Sequence, residues 1–492
     1  METSSIITLL IIALLLLTLT KESLNFITKY PIIFALIVIL ILLGYYYFVY
    51  RKTSYIDKIK DEVKEELKID SNDVDDDEIR STPEDFDMNE NNITIEKGGT
   101  NINTVQTIDY EMFAKIMYTK DFLNKFKNSM VINYKLKKRK YIDVYNATLH
   151  ELNSLNKGGK ISMKTGEKAE TISALESSLL EIEDILKQID KDSKELTIEK
   201  IKSNLSKAIN DPKNGLNTLI ARDNVKDFLA VRLYTFAMNP RIFFNSFQHV
   251  ALYGRSGFGK SKIGEVMAFV YSMSGILIKN NFMAVNKSAF TTAYVNSSGS
   301  KTKSLLLANL ESVLLIDEAY DLGPPAGLMG DAGHTNEAIA TMVDFLSKYK
   351  GLSIVIIAGY EKQMKERLMN SNEGLDRRFP HILKLSPFTP KILTKLCINF
   401  IRNSNPQVKI SQENANLLYS IINKIQEYDV KYKKNYKDFV FSKQAGDMEN
   451  LAAEISQCYY TIIPQGDLSN AIILGINNFL KGKNIHISIP TI

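Results

Sequence analysis

The chain has 492 residues, of which 45% are hydrophobic and 24% are charged. This composition excludes a wholly disordered chain, a collagen-like chain and a miniature protein held together by disulfides. The formal net charge is +5, from 61 Lys and Arg against 56 Asp and Glu, and such a balance does not by itself indicate nucleic-acid binding. Two cysteines, Cys397 and Cys458, cannot form a disulfide framework, which indicates a reducing compartment.

The most hydrophobic segments lie at the start of the chain. Residues 4–20 and 31–50 carry no charge, and a membrane-spanning helix needs about 17–25 apolar residues. Arg51 and Lys52 follow the second segment, and basic residues mark the cytosolic side of a membrane. We therefore expect two transmembrane helices within residues 1–52, contact with a lipid bilayer, and a multi-pass membrane protein whose body is cytosolic. The alternative is a cleaved signal peptide, although its basic n-region and A-x-A-like site are missing.

An acidic segment comes next. Residues 61–90 contain 14 Asp and Glu against three Lys and Arg, which gives a net charge of −11. Such a block repels itself and has too little apolar surface to offset the entropy of ordering. It predicts a flexible linker over residues 53–100, with an acidic docking tail as the alternative.

Residues 101–212 are predicted to form a helical middle region. Apolar residues recur at three- and four-residue spacing in Ile172–Ile189, which is typical of an amphipathic helix, whereas residues 157–168 are predicted to form a loop. A basic cluster in this region could touch anionic lipid or nucleic acid, although a solvated helix face is the simpler interpretation. The cluster comprises Lys135, Lys137, Lys138, Arg139 and Lys140.

The clearest motif follows the apolar run at 250–253. Residues 254–261 read GRSGFGKS, the complete pattern G-x-x-x-x-G-K-S. Glycines let backbone N–H groups turn towards phosphates, the lysine supplies a cation to the β and γ phosphates, and the serine hydroxyl binds Mg²⁺. A helix is expected from about Lys260, and its N-terminus favours an anion. ATP and Mg²⁺ are the predicted cofactors, and the predicted binding residues are Gly254, Arg255, Ser256, Gly257, Phe258, Gly259, Lys260 and Ser261.

Two carboxylates end the next apolar run. The four residues Val313–Ile316 are typical of a strand buried in a parallel sheet, and Asp317 and Glu318 follow them directly. Ligands of open α/β sheets bind at the carboxyl ends of the strands. We therefore expect Asp317 to hold Mg²⁺ and Glu318 to orient and deprotonate the attacking water. The alternative is an acidic helix cap after a core strand.

A third apolar strand is predicted at residues 354–358. The segment 372–379, which reads NEGLDRRF, then contains the adjacent pair Arg377 and Arg378. An arginine on a loop can reach the γ-phosphate of a neighbouring subunit and stabilise the charge of the transition state. The alternative is a surface ion pair.

The order of these motifs resembles that of AAA+ ATPases, and more narrowly that of the CbxX/CfxQ family, which includes red-type Rubisco activases and a sporulation protein. The resemblance covers about residues 215–465 and is carried by the phosphate loop, by Ile316–Tyr320 (IDEAY) and by Ala358–Tyr360 (AGY). Further similar segments are Thr292–Val295, Lys301–Lys303 and Asn336–Ile339. The resemblance implies an α/β fold with a parallel phosphate-loop sheet over residues 213–385 and a helical lid over 386–492. It also implies a hexameric ring with ATP at subunit interfaces and pore loops that pull on a protein.

The resemblance assigns roles residue by residue. Arg378 matches the family's arginine finger, whereas Arg377 stands where a small residue is usual, and Tyr294 matches an aromatic pore-loop position. Catalytic roles are thus implied for Lys260, Glu318 and Arg378, and metal binding for Ser261 and Asp317.

Two positions depart from common AAA+ patterns. Tyr360 follows the third strand, where many AAA+ proteins have Asn or Thr, in agreement with the AGY motif of this family. Glu449 stands where an arginine is expected in the lid, which weakens the expected lid contact with the γ-phosphate. Nothing in the family accounts for residues 1–212, so Rubisco is not predicted as the client.

The sequence therefore predicts a membrane-anchored AAA+ ATPase that binds and hydrolyses ATP to remodel an unknown protein client, as a homo-oligomer in a hexameric ring. The alternative is a membrane scaffold that binds ATP and hydrolyses it weakly, which Glu449 favours. A nucleic-acid-associated motor, based on the basic cluster, ranks third because no readout motif accompanies it; nucleic acid is not expected as a partner.

Overall fold

A parallel five-stranded sheet organises the protein. The computed structural model describes residues 108–156, 165–291, 298–323, 332–462 and 467–485. The strand order is β2-β3-β4-β1-β5, and every neighbouring pair is parallel. The strands are β1 (Val250–Tyr253), β2 (Phe282–Val285), β3 (Val313–Ile316), β4 (Ile354–Gly359) and β5 (His381–Lys384). The predicted parallel α/β sheet is thereby confirmed.

Helices precede, connect and follow these strands. Those before the sheet are α1 (Tyr110–Ile116), α2 (Lys120–Asn156), α3 (Thr165–Lys194), α4 (Ile198–Asn210), α5 (Asp223–Met238) and α6 (Pro240–Asn245). Those between the strands are α7 (Lys260–Met273), α8 (Ser298–Ala308) and α9 (Ala332–Lys348). Those after the sheet are α10 (Pro390–Ser404), α11 (Gln412–Tyr432), α12 (Ala445–Thr461) and α13 (Leu468–Gly482).

The sheet brings three polar segments to one edge. Strands β1, β3 and β4 are buried along their whole length, as expected from their aliphatic residues. The register pairs Ile316 of β3 with Ile357 of β4, and Val250 of β1 with Ile356 of β4. Because the three strands are parallel, the segments after Tyr253, Ile316 and Gly359 emerge together.

The middle helices pack onto this sheet domain. Helix α2 contacts α5, α3 contacts α8, and α4 contacts α7. Helix α3 contains the predicted amphipathic segment 172–189, but it begins at Thr165. The loop prediction for 157–168 is therefore wrong from 165 onward, and residues 157–164 lie outside the described residues. No proline interrupts residues 165–172, so the helix can extend through them.

Lys137, in the basic cluster, is fully buried. It forms an ion pair with Glu311, which is also fully buried and lies just before β3. The same carboxylate accepts hydrogen bonds from the Tyr141 hydroxyl at 2.8 Å and from the Ile278 N–H at 2.9 Å. This network satisfies the carboxylate from several directions, as a buried charge requires.

Two more members of the basic cluster are also engaged. Lys138 pairs with Asp190 at 2.8 Å, and Lys140 donates a hydrogen bond to the Lys350 carbonyl. Burial lowers the pKa of Lys140 to about 8, with the nearby charges of Lys137 and Lys350 adding to the shift. The expectation of a solvated helix face is thus corrected for these three side chains, which bind within the protein, whereas Lys135 and Arg139 are exposed.

Four helices, α10 to α13, form a separate apolar cluster after the sheet. Its centre includes Leu393, Ile422, Leu451 and Ile476, all essentially inaccessible to solvent. Both cysteines lie within these helices as buried free thiols. This cluster occupies the region predicted as the lid, is called the lid below, and contacts the phosphate loop through Ala445.

The predicted multi-pass membrane location is corrected. Within the described ranges, none of the helices combines the length and apolar composition that crossing a bilayer requires. Residues 4–20 and 31–50, on which the prediction was based, lie outside the described residues, as does the linker predicted at 53–100. The transmembrane hairpin, the bilayer contact and the cytosolic orientation of a membrane protein are withdrawn.

A buried histidine makes the stability of the fold depend on pH. His249 accepts a hydrogen bond from the Val355 N–H at 3.1 Å, and burial, together with His381, lowers its pKa to about 3. The unfolded state binds a proton near pH 6.5 and the folded state does not, so stability is full above that pH and falls as the pH decreases towards 3.

We expect His249 to contribute a loss of about 2 kcal/mol in the free energy of unfolding between pH 7.5 and 5.0. Urea unfolding at both pH values, on the natural chain and on His249→Asn, measures this contribution. The variant retains an acceptor but not the titrating group, so its loss should be smaller. An equal loss in both proteins would contradict the assignment.

Candidate nucleotide site

The phosphate loop lies between β1 and α7. Gly257 and Gly259 have φ values of 78° and 83°, a region that glycine enters without a Cβ penalty. Helix α7 begins at Lys260, and its N-cap, Gly259, makes no side-chain capping hydrogen bond. The first N–H groups of this 14-residue helix therefore lack side-chain acceptors and point towards the space where a phosphate would bind.

Lys260 lies between this loop and the two acids that follow β3. Its Nζ is 3.6 Å from Oδ1 of Asp317 and 3.7 Å from Oε1 of Glu318. It also donates to the carbonyls of Gly254 and Arg255 at 3.3 and 3.4 Å. The lysine side chain is only 5% exposed, whereas that of Asp317 is 42% exposed. A cation thus stands at the base of the loop, and a carboxylate remains open beside it.

Glu318 is held in an unusual conformation. Its φ is 49°, which is strained for a residue with a side chain, and its N–H donates to Asp317 Oδ1 at 3.1 Å. Its Oε2 is buried and makes no hydrogen bond within the described part of the chain. A water molecule between this oxygen and a γ-phosphate would satisfy it. The residues present therefore fit Mg²⁺ and a nucleoside triphosphate.

Tyr320 explains the glycine of the AGY motif. A Cβ on Gly359 would lie 2.8 Å from Cδ1 of the Tyr320 ring, so only glycine fits beneath that ring. The ring also lies 6.1 Å from the ring of Tyr360. Burial raises the pKa of Tyr320, and its contact with the Glu318 carboxylate adds to the shift. The sequence alone indicates no role for Tyr320 beyond its place in the IDEAY segment.

The lid contacts the loop directly. The Ala445 N–H donates to the Gly257 carbonyl at 3.1 Å, and the Arg255 guanidinium lies 4.3 Å from the Tyr436 ring centroid. Phe258 is buried, with its ring 6.5 Å from that of Phe388. The Phe258 side chain therefore anchors the lid, and its part in phosphate binding is limited to the backbone.

The two arginines of the pair differ in exposure, because Arg378 is partly buried and hydrogen-bonded. Arg378 donates from Nε and Nη2 to Ser347 Oγ at 3.1 and 2.8 Å, and from Nη1 to the Gly374 carbonyl at 3.0 Å. Arg377 is exposed. The structure does not bring Arg378 to the phosphate loop of its own chain, and reaching a neighbouring copy would require these three bonds to break.

One further predicted position, in the lid, does not join the site. Glu449 is exposed on α12, so the lid position at which an arginine was expected presents a carboxylate to solvent. Tyr294 and the segment 292–295 lie outside the described residues. The pore-loop assignment stays a prediction.

Gly257→Ala is expected to uncouple the lid from the loop. An added Cβ would lie 1.7 Å from the Lys443 carbonyl oxygen, on top of the cost of φ 78°. We expect turnover to fall by about tenfold or more, because backbone on both sides must move. Gly259→Ala is the matched control: its φ is 83°, but the added Cβ meets nothing within 4 Å. Phosphate release from both variants measures the difference, and equal losses would show that lid contact is not the cause.

Comparison with known proteins agrees with this geometry. Residues 250–383 match the family model described as ATPase family associated with various cellular activities (AAA). The chain is 26% identical over 243 residues to the Protein CfxQ homolog of Galdieria sulphuraria, covering 49% of this chain and 75% of that protein. It is 26% identical over 165 residues to Stage V sporulation protein K of Bacillus subtilis, covering 34% of this chain and 49% of that protein.

The ESX-3 secretion system protein EccA3 of Mycolicibacterium smegmatis is 29% identical over 150 residues, which is 30% of this chain and 24% of that protein. The chain thus spans three quarters, about half and about a quarter of these three relatives. The matched residues include the phosphate loop, the acidic pair and the arginine pair described above. The chain therefore contains an AAA ATPase domain and is similar to proteins of the CfxQ type, which indicates an ATP-hydrolysing enzyme.

Proposed function

We propose that the protein assembles into a homo-oligomeric ring and uses ATP hydrolysis to remodel a protein client. The observation that carries this proposal is the position of Lys260, within 4 Å of both Asp317 and Glu318 at the foot of the phosphate loop. Relatives with other cellular tasks share this AAA domain, among them a sporulation protein and a secretion-system protein. Because these tasks differ, we propose only a general remodelling role for this protein.

Each residue of the site has a separate proposed role in ATP hydrolysis. Bound ATP and Mg²⁺ supply the reactive phosphoanhydride and its charge neutralisation. Lys260 would stabilise the β and γ phosphates, while Ser261 and Asp317 would hold the metal. Glu318 would orient the attacking water and accept its proton on the carboxylate. The described lid contacts the loop through the Ala445 N–H and the Gly257 carbonyl, and further closure over a bound nucleotide would limit the access of bulk water.

A neighbouring copy would complete the site. In the described chain, the three hydrogen bonds of Arg378 go to Ser347 and Gly374, and no arginine side chain there forms an ion pair with Asp317 or Glu318. We propose that Arg378 leaves these partners on assembly and stabilises transition-state charge on the adjacent subunit. A hexamer is the proposed ring size because AAA+ proteins commonly form hexameric rings.

Concentration dependence tests this proposal. Phosphate release per chain is measured across a range of chain concentrations, with the mass of the assemblies recorded in the same samples. Turnover per chain should rise together with assembly, because an isolated subunit lacks its neighbour's arginine. Arg378→Ala should assemble without gaining turnover. Turnover that is independent of concentration in a monomeric chain would overturn the ring.

A second candidate is a scaffold that binds ATP and hydrolyses it slowly. The exposed carboxylate of Glu449, at the lid position where an arginine was expected, favours this alternative. The same samples distinguish the two functions. Assemblies that form with ATP but release phosphate at the background rate would support the scaffold, and assembly-dependent turnover would exclude it.

A further inference from the structure

Arg222 connects the phosphate loop to residues 385–389, the segment between β5 and α10 that we call the hinge of the lid. It lies immediately before α5, and its Nη2 donates to the Phe258 carbonyl of the loop at 2.9 Å. Its Nη1 donates to the Ser386 carbonyl at 3.0 Å, in the segment that joins β5 to α10. The guanidinium also lies 3.8 Å from the Phe388 ring centroid. One side chain therefore holds both structures that must move relative to each other when the lid opens.

The charge of this arginine is buried without a counter-ion. The residue is 5% exposed, and burial lowers its pKa to about 10. Its Nε is buried and makes no hydrogen bond, and no carboxylate within the described ranges pairs with it. A buried cation of this kind costs free energy unless a negative charge approaches. The polyphosphate proposed to bind in the adjacent loop carries that charge.

Backbone strain marks the same turn. Ala221, directly before Arg222, has φ 49°, a left-handed conformation that residues with side chains rarely adopt. Such strain persists only where the surroundings enforce it, and it concentrates at ligand clamps. The strain and the unpaired charge are independent observations, and both lie beside the phosphate loop.

A closed series of contacts connects the phosphate loop, the lid and the hinge. The Phe388 N–H donates to Gln444 Oε1 at 2.6 Å, and Gln444 immediately precedes Ala445 in the lid. The Ala445 N–H in turn donates to the Gly257 carbonyl, next to Phe258. Arg222 contacts both the Phe258 carbonyl and the Phe388 ring, so it completes this series. A shift of the loop on binding a ligand is thus conveyed to the hinge on both sides.

We propose that Arg222 is a positioning residue that couples nucleotide occupancy of the phosphate loop to the position of the lid hinge. This inference rests on the proposed function, since it requires a nucleotide in the loop. The guanidinium acts through its two carbonyl contacts and its charge, and it touches no reacting atom.

Three variants test the coupling. Arg222→Met keeps the length and the apolar packing but removes the charge and both donors. Arg222→Lys keeps the charge but cannot donate to both carbonyls in the same planar geometry. Arg232→Met is the matched control, because Arg232 lies on α5, the helix that follows Arg222, and contacts His381 at the other end of β5.

The readouts are ADP affinity by calorimetry, turnover by phosphate release, and hydrogen exchange of the Phe388 amide with and without ADP. In the natural chain, ADP should slow exchange at Phe388. In Arg222→Met this protection should be lost, with ADP binding weakened by about tenfold. Arg222→Lys should recover the affinity but neither the protection nor the turnover, and Arg232→Met should retain all three.

Two results would overturn the inference. Undiminished ADP protection of Phe388 in Arg222→Met would show that the hinge does not depend on this side chain. Equal losses in Arg232→Met would show that the effect is general destabilisation. If the natural chain binds no ADP, the result overturns the proposed function itself. This outcome is distinct from a failure of the Arg222 inference, because it is seen before any variant is compared.

Discussion

Glu318→Gln is expected to reduce ATP turnover by about two to four orders of magnitude while ATP binding is retained. The amide preserves the shape of the side chain and its contacts with Lys260 and Asp317, but it cannot accept the proton of the attacking water. Binding is retained because the phosphate loop and the metal-binding carboxylate of Asp317 are unchanged. Single-turnover phosphate release and an ATP titration measure the two effects separately.

Glu361→Gln is the matched control. Glu361 also follows a strand at this edge of the sheet, but its carboxylate is paired with Lys365 and Lys384 at 2.8 and 2.7 Å and has no place in the mechanism. Its turnover should stay close to that of the natural chain. Normal phosphate release from Glu318→Gln would remove Glu318 from the mechanism. If release is blocked, this ATP-bound variant should also retain its protein client in a pull-down.

Lys137→Met is expected to lower the free energy of unfolding by about 3–5 kcal/mol. The substitution leaves the Glu311 carboxylate fully buried, with a negative charge that Tyr141 and the Ile278 N–H cannot neutralise. Urea unfolding followed by circular dichroism measures the loss. The double variant Lys137→Met with Glu311→Gln removes both charges and should recover part of the stability.

The control for this prediction is an exposed ion pair. Lys200 and Glu195 lie 2.8 Å apart, with side chains 37% and 51% exposed, and pairs of this kind contribute at most about 1 kcal/mol. Lys200→Met should therefore have little effect. A loss from Lys137→Met as small as that of Lys200→Met would show that solvent reaches Glu311.

The central part of the site could be predicted because each of its motifs is a continuous stretch of sequence. The pattern at 254–261 and the apolar run ending at Asp317 each contain their own context of strand, turn and helix. Parallel strands then bring Lys260 and the acidic pair together with no further information, since the carboxyl ends of such strands share one edge. The glycine at 359 was visible as part of a motif, but the ring of Tyr320 that requires it was not.

The rest depends on contacts between distant residues. Lys137 appeared as one of five adjacent basic residues, and its partner Glu311 lies 174 positions away. Arg222 carries no motif, and its partners Phe258 and Ser386 lie 36 and 164 positions away. Charge runs are read from composition alone, so a cluster that folds inward has the same pattern as one that faces solvent. The hydrogen bonds from Arg378 to Ser347 could not be predicted either, because the two residues lie 31 positions apart.

The buried network around Glu311 has a practical consequence for enzymology. Glu311 and Asp317 stand at opposite ends of one short strand, six positions and about 20 Å apart. A truncated fragment starting at residue 213 would discard Lys137 and Tyr141 and leave the carboxylate with the Ile278 N–H but without its cation or its tyrosine donor. Kinetic constants from such a fragment would describe a damaged enzyme, so α2 belongs in any minimal unit prepared for assay.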